Sequence, residues 1–328
     1  MRTDHARSPV GWRRLVHALV VVLGITAIVG SGGGGFPDLN FNFDGPFAPS
    51  FATIEPSRAT VQVGATVTFT VHANGTEPFS FQWARNDANI PGATAATYAL
   101  AGANLADDGA QFSAKVSNSV GAATAWSLLH VSSLPGVAYR DDDFAVSDWA
   151  VSAIADPATN GPTHTESQSA TGGNPGAFRL IAYQVPQGSS SIRVFNTSLP
   201  SVYNPAEQGA IYTIDFARDC SAAATSTLGA ISASPGFQQG SRWFVGRPGV
   251  WACGGTNWQT RLASSLRADE FGLAAGPACS VNEACPDFSA GAAPLRFGFV
   301  SEAAVAPGAT AGAITQGVDN WTVTVWRR

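Results

Sequence analysis

Apolar and hydroxylated residues alternate one for one along several short stretches of the chain. Val67, Phe69 and Val71 are interleaved with Thr66, Thr68 and Thr70, which gives one oily face and one hydroxylated face at a period of two, the pattern of a half-buried strand. Phe79, Phe81 and Trp83 predict the next strand, Tyr98 and Leu100 a third, and Phe112, Ala114 and Val116 a later one. Asn74-Gly75 and Asn118-Ser119-Val120-Gly121 supply the turns between them. Short alternating runs broken by turn residues predict a two-sheet antiparallel sandwich over residues 51–133.

After a Ser/Pro break from Ser132 to Gly136, residues 137–328 again show alternation and no sustained helical period. Ile211 to Phe216, Arg242 to Val245, Leu295 to Val300 and Trp321 to Trp326 are the clearest strands. In the last of these, Trp321, Val323 and Val325 share a face and Thr322, Thr324 and Trp326 point the other way. One helical turn is expected between Leu262 and Phe271. The fold class read from the pattern is all-β, a smaller sandwich followed by a larger one.

The first residues follow a different grammar. Arg2, Arg7, Arg13 and Arg14 precede the apolar stretch Leu15 to Val29, and small residues follow at Gly30 and Ser31, the three parts of a secretory signal. Residues 1–31 are expected to be removed on export, with cleavage near Gly30 or Ser31; an uncleaved anchor is the alternative. Ile28-Val29-Gly30-Ser31 is similar to a lipoprotein lipobox but has Ser31 where the lipid-accepting thiol belongs, so no lipid anchor is expected. Residues 32–50, rich in Gly, Pro, Asn and Asp with Phe36, Phe41, Phe43 and Phe47 among them, read as a tether. No later apolar run is long enough to span a membrane.

Composition narrows function. Only 12% of residues are charged, about half the usual share, the formal charge is −5, and Lys115 is the sole lysine. A binder of phosphate backbones needs a basic stripe, so nucleic acid is excluded as a partner. Four cysteines in an exported chain predict two disulfides, here Cys220–Cys253 and Cys279–Cys285, although three pairings exist. Neither gap has the spacing of a zinc knuckle.

Three runs carry a resemblance to a known family: Gly64 to Val71, then Phe81-Gln82-Trp83, then Asp107-Asp108-Gly109 through Asn118. Residues 52–132 resemble immunoglobulin I-set domains of bacterial surface proteins. The family's two cysteine positions hold Val71 and Ala114, and its corner tyrosine is Phe112, so the resemblance implies a core in which Trp83 packs on Val71 and Ala114 with no covalent staple. Asp107-Asp108-Gly109 is read as a structural turn. Such modules act as spacers or adhesion units, which implies binding rather than chemistry.

The second domain carries a looser resemblance. Asp141-Asp142-Asp143-Phe144, Gly172-Gly173-Asn174-Pro175-Gly176 and Gly317 to Val325 resemble bacterial jelly-roll modules of the laminin-G and carbohydrate-binding kind. In those the first and last strands lie side by side and share a structural calcium, for which Asp142 and Asp319 are the candidates here. No other cofactor is expected.

Trp243, Trp251 and Trp258, with Arg242, Arg247, Asn257 and Gln259 nearby, form the candidate ligand group, because apolar sugar faces stack on aromatic rings and hydroxyls need fixed polar partners. Core packing is the competing reading for these tryptophans, with Trp258 the one expected to be most exposed. No nucleophile elbow, zinc-protease helix or phosphate-cradling motif is present. His164 and Glu166 are neighbours in a Ser/Thr-rich stretch, and a paired-carboxylate hydrolase would draw on Asp142, Asp215, Glu270 and Glu302. The sequence thus favours an exported, non-catalytic binding or adhesion protein whose partner is a glycan or a surface protein. A polysaccharide hydrolase and a purely structural envelope component are the alternatives.

Overall fold

The computed structural model describes residues 45–155, 161–186, 191–224, 231–246, 252–253, 255–274, 279, 285–304 and 312–328. The leader and most of the tether lie outside these residues, as do Arg247 and Trp251. Residues 46–328 form one compact unit. Among the described residues no helix is long and apolar enough to cross a membrane.

The smaller sandwich holds β1 (Ser50–Glu55), β2 (Arg58–Gln62), β3 (Val67–Asn74), β4 (Ser80–Arg85), β5 (Ala88–Asn89), β6 (Thr97–Leu100), β7 (Gln111–Ser117) and β8 (Ala122–Ser132). One sheet has the order β1-β3-β6 and the other β2-β8-β7-β4-β5, with β2 running parallel to β8 and all other pairs antiparallel. The predicted alternation holds: Val67, Phe69 and Val71 are buried while Thr66 and Thr68 are not. Trp83, fully buried, shares a core with Val71, Phe112 and Ala114, and its Nε1 donates to Ala95 O at 2.9 Å. Packing therefore does the work of the missing disulfide; truncating a buried aromatic of this kind to alanine costs about 3–5 kcal/mol. At the corner, buried Asp107 pairs with Arg85 and accepts from Asn104 N at 2.9 Å, so the Asp-x-Gly motif is a structural turn. Residues near the tether's end belong to this sandwich too, since Phe47 N donates to Thr76 Oγ1 and Asn118 Nδ2 donates to Phe47 O.

The larger sandwich is all antiparallel. Its strands are β9 (Val137–Asp141), β10 (Trp149–Ala155), β11 (Thr163–Gly173), β12 (Gly176–Val185), β13 (Ser191–Tyr203), β14 (Ile211–Ala224), β15 (Ile231–Gln239), β16 (Arg242–Gly246), β17 (Gln259–Leu266), β18 (Phe271–Leu273), β19 (Leu295–Ala304) and β20 (Gly312–Arg327). One sheet runs β10-β13-β19-β15-β16-β18 and the other β11-β12-β20-β14-β17. β20 is the spine of the second sheet: β14 flanks it on one side, while β12 takes its first half and β9 its second half on the other. Inward residues of both sheets, among them Trp149, Trp321, Phe237, Phe271, Phe297 and Phe299, make one core. The one helical turn expected near Leu262 to Phe271 is present as a 3-10 turn at Ala268–Glu270, and the residues before it, through Leu266, are strand. Alternation about Leu262 fits a strand whose outer side is exposed.

The two predicted cysteine pairs stand at bonding distance, Cys220 with Cys253 and Cys279 with Cys285. Cys220 lies on β14 of one sheet, and Cys253 N donates to Ile231 O of β15 in the other. The first bridge is thus a cross-sheet staple, the device that the smaller sandwich lacks.

A buried polar seam joins the sandwiches. Thr60 Oγ1 of β2 lies 2.9 Å from Thr213 Oγ1 and 2.8 Å from Ser265 Oγ. Tyr212 of β14 donates to Asp108, His130 Nδ1 lies 2.8 Å from the same phenol, and Arg58 pairs with Glu270. Ser132 Oγ donates to Arg327 O at 2.6 Å. The break predicted at residues 132–136 is therefore tied down on both sides.

Candidate binding surface

The structure separates the predicted ligand group. Trp243, on β16, packs its ring on Phe195 at 5.0 Å; Phe195 alternates with the core residues Ile192 and Val194, so this pair covers the outer face of its sheet. Arg242 stands exposed beside it. Trp258 and Gln259 belong to the other sheet, where Trp258 packs on Phe178 at 5.2 Å, donates Nε1 to Gly172 O at 3.1 Å and lies over Gly317. Phe178 and Gly317 are outer-face positions there, alternating with Ile181, Ile314 and Val318 of the core. Asn257 is exposed and the Gln259 amide oxygen accepts from Arg261. The two tryptophans thus sit on opposite outer faces. Sequence proximity misled because residues 242–246 and 259–266 enter different sheets.

The predicted acids each have a local partner. Asp142 is exposed and pairs with Arg140 at 3.0 Å. Asp319 is fully buried and accepts from Asn174 N and from Asn320 N; opposite it in register, Asp219 accepts from Thr260 Oγ1 and from the amides of Asn174 and Asn320. Among the described residues no group of three His, Cys, Asp or Glu is placed to hold a metal ion. Asp215 accepts from Ser265 N and Trp326 Nε1; burial pushes its carboxyl up against the pull of those two bonds. Glu270 is held by Arg58 and Arg267 N, and Glu302 by Arg193.

A surface that the strand pattern did not single out lies on the smaller sandwich. Trp126, on β8, is 54% exposed, and register sets it opposite Ser113 of β7. Ser113 in turn lines a shallow concavity of about 480 Å³ together with Gln82, Asp87, Asn89, Lys115 and Ser117. Gln82 is locked there, its Nε2 donating to Trp83 O and Ile90 O at 2.8 and 2.9 Å. The signal was present in Ala123-Thr124-Ala125-Trp126: alternation puts Ala125 and Leu129 inside, and Trp126 with Thr124 outside. An indole on the hydroxylated face of a strand has no core to fill. Chemically this surface offers one large apolar plate, one cation and several hydrogen-bonding groups, and it contains neither a nucleophile with a base nor a convergent acid pair.

Residues 49–131 match the family model for the immunoglobulin I-set domain. Among solved structures, the N-terminal four Ig domains of Dscam1 isoform 6.9 align at 24% identity over 24% of this chain and 20% of that one, with a TM-score of 0.23. Those of isoform 8.4 align at 24% identity over 26% and 21%, with a TM-score of 0.24. The chain spans about a fifth of the length of these structures.

Proposed function

We propose that the chain is an exported surface-binding or adhesion protein whose immunoglobulin-like unit offers the outer face of its five-stranded sheet to a protein partner. The observation that carries this reading is Trp126, an exposed indole on the sheet face that also bears the chain's sole lysine, Lys115, opposite Thr124 in register. Tryptophan is enriched among the few residues that dominate binding energy, and a sheet holds it at little entropic cost. The polar seam with the larger sandwich supports the same role by fixing the unit's orientation. The leader and the two cysteine pairs support export. A non-catalytic reading is supported by the separate engagement of each predicted acid.

The larger sandwich is read as a jelly-roll-like module. A glycan reading of it keeps Trp258, Asn257 and Gln259 as one platform, since Trp243 and Arg242 stand on the other face. Trp126→Ala, Lys115→Glu and Trp258→Ala variants of the full chain separate the possibilities by retention on cell surfaces and on a glycan array. Retention is expected to fall at least about tenfold in Trp126→Ala, the loss of a modest hot spot, with unchanged thermal unfolding. Unchanged retention of that variant, or loss confined to Trp258→Ala, would remove the proposed face.

A further inference from the structure

Two strands close each sheet of the larger sandwich, and each has one edge turned away from its sheet. In the order β10-β13-β19-β15-β16-β18 they are β10 and β18, of 7 and 3 residues, and in β11-β12-β20-β14-β17 they are β11, of 11 residues, and β17. β17 is backed by β2 through the Ser265–Thr60 contact of the seam. β11 is the longest edge that the seam leaves open, and among the described residues β12 is the only strand paired with it.

An edge strand presents backbone N–H and C=O groups to anything that can add a strand, and proteins ordinarily blunt it with lysine, proline, a bulge or a charged group turned inward. From Thr163 to Ser169, β11 holds neither lysine nor proline, and it follows β12 residue for residue, the register shifting only beyond Ser169. The device it carries is the last one. His164 and Glu166 stand opposite the core residues Tyr183 and Ile181, so they point to the inner side. Thr163, Thr165 and Ser167 point outward and are exposed.

An inward polar group rejects an incoming strand that leaves it unmatched, and so selects the strand that matches it. His164 and Glu166 flank Thr165 symmetrically. Two copies of β11 laid antiparallel about a two-fold axis through Thr165 set His164 of each opposite Glu166 of the other, Thr165 opposite itself and Thr163 opposite Ser167. Opposed residues of an antiparallel pair share a face, so imidazoles meet carboxylates on the inner side and hydroxyls meet hydroxyls on the outer, both favourable cross-strand pairs. An axis at His164 would oppose the two imidazoles, and one at Glu166 the two carboxylates, the like pairs that a sheet disfavours. Within one copy His164 Nε2 lies 3.3 Å from Glu166 Oε1, so pairing about Thr165 sets each carboxylate between two imidazoles.

We propose that the strand β11 accepts is β11 of a second copy of this chain, joining two larger sandwiches edge to edge across Thr165 into one continuous sheet. The interface does not rest on the partner face of the smaller sandwich. Sedimentation equilibrium of the full chain, at concentrations rising to about 1 mM, the weak end for a specific pair, is expected to show a monomer–dimer equilibrium and no larger species, because a two-fold pairing uses up both edges. Thr165→Lys sets two ammonium groups against each other at the axis and should weaken the dimer at least about tenfold; the position is exposed, so the unfolding midpoint should stay where it is. Register is read by crosslinking under oxidised glutathione. Thr165→Cys should give a disulfide-linked dimer, since directly opposed Cβ atoms lie about 4.5–5.5 Å apart, near disulfide reach. Thr163→Cys and Ser167→Cys should link to each other when mixed, and neither to itself. A chain that stays monomeric, a dimer that Thr165→Lys leaves intact, or self-linking of Ser167→Cys as readily as of Thr165→Cys would overturn the assignment.

Discussion

Both carboxylate oxygens of Asp108 accept the hydroxyl of Tyr212, at 2.8 and 2.9 Å, so a corner of the smaller sandwich is fastened to a strand of the larger one. Val131 N donates to the same carboxylate at 3.0 Å, and His130 Nδ1 lies 3.3 Å from it. The guanidinium groups of Arg267 and Arg328 lie over the Tyr212 ring at 5.5 and 4.8 Å. One phenol thus meets an anion at its tip and cations on its faces, an arrangement in which each partner strengthens the next.

Tyr212→Phe removes the hydroxyl and leaves the partly exposed Asp108 with Val131 N and His130 as its partners. A loss of about 1 kcal/mol is expected, the net worth of one hydrogen bond whose acceptor water can still reach. Because the bond crosses the seam, the loss should be accompanied by faster proteolysis at residues 133–136. Thermal unfolding and limited digestion check the two effects, and a stability loss without faster cleavage would mean that the seam holds without this bond.

The same cluster sets a pH dependence. His130 is buried, which pulls its pKa below 6.5; Asp108 opposes that shift, and Arg267 and Arg58 add to it. The unfolded chain then takes up a proton below pH 6.5 that the folded one refuses, so this contribution to stability is present above pH 6.5 and is lost as pH falls toward the folded value. Asp108 is pushed up by burial but held lower overall by Val131 N, Tyr212 and His130, so its contribution disappears only below pH 3.8. Burial raises Glu166, Asp141 and Asp215, which opposes the acid loss in between. The His130 share is therefore read as a difference: His130→Gln should flatten the acid limb of the unfolding midpoint just below pH 6.5. A parallel pH profile in the two proteins would contradict this.

Period-two alternation is a local property, and what depends on it was legible: the all-β class, the Trp83 core with Val71 and Ala114, and the strand carrying Trp321, Val323 and Val325. The two cysteine pairings were a choice among three, and both chosen pairs stand at bonding distance. Which sheet a strand joins is not local. Trp243 and Trp258 are 15 residues apart in the chain, yet the sheet order carries them to opposite faces. The proximity of His164 and Glu166 was visible in the sequence, but the row that sets Glu166 in line with Ile181 and Gln316 depends on the register of three strands. Trp126 was overlooked because an aromatic residue in a strand is ordinarily a core residue, and only its parity with Thr124 marks it as exposed.

The cross-sheet staple yields the sharpest stability contrast. Cys220 and Cys253 are separated by 33 residues and are both buried, whereas Cys279 and Cys285 are separated by 6. On chain-entropy grounds, opening the first loop costs about 3–4 kcal/mol and opening the second about 2–2.5 kcal/mol. The first bridge also joins β14 to a segment hydrogen-bonded to β15 of the facing sheet, so Cys220→Ala/Cys253→Ala loses core packing in addition, while the second bridge only closes a segment between β18 and β19. The double variants should therefore rank wild type, then Cys279→Ala/Cys285→Ala, then Cys220→Ala/Cys253→Ala in unfolding midpoint. Trp83 and its neighbours lie in the other sandwich, so neither variant should alter that core directly. Denaturant unfolding followed by tryptophan fluorescence tests the ranking, and equal losses from the two variants would show that the staple contributes no more than its loop.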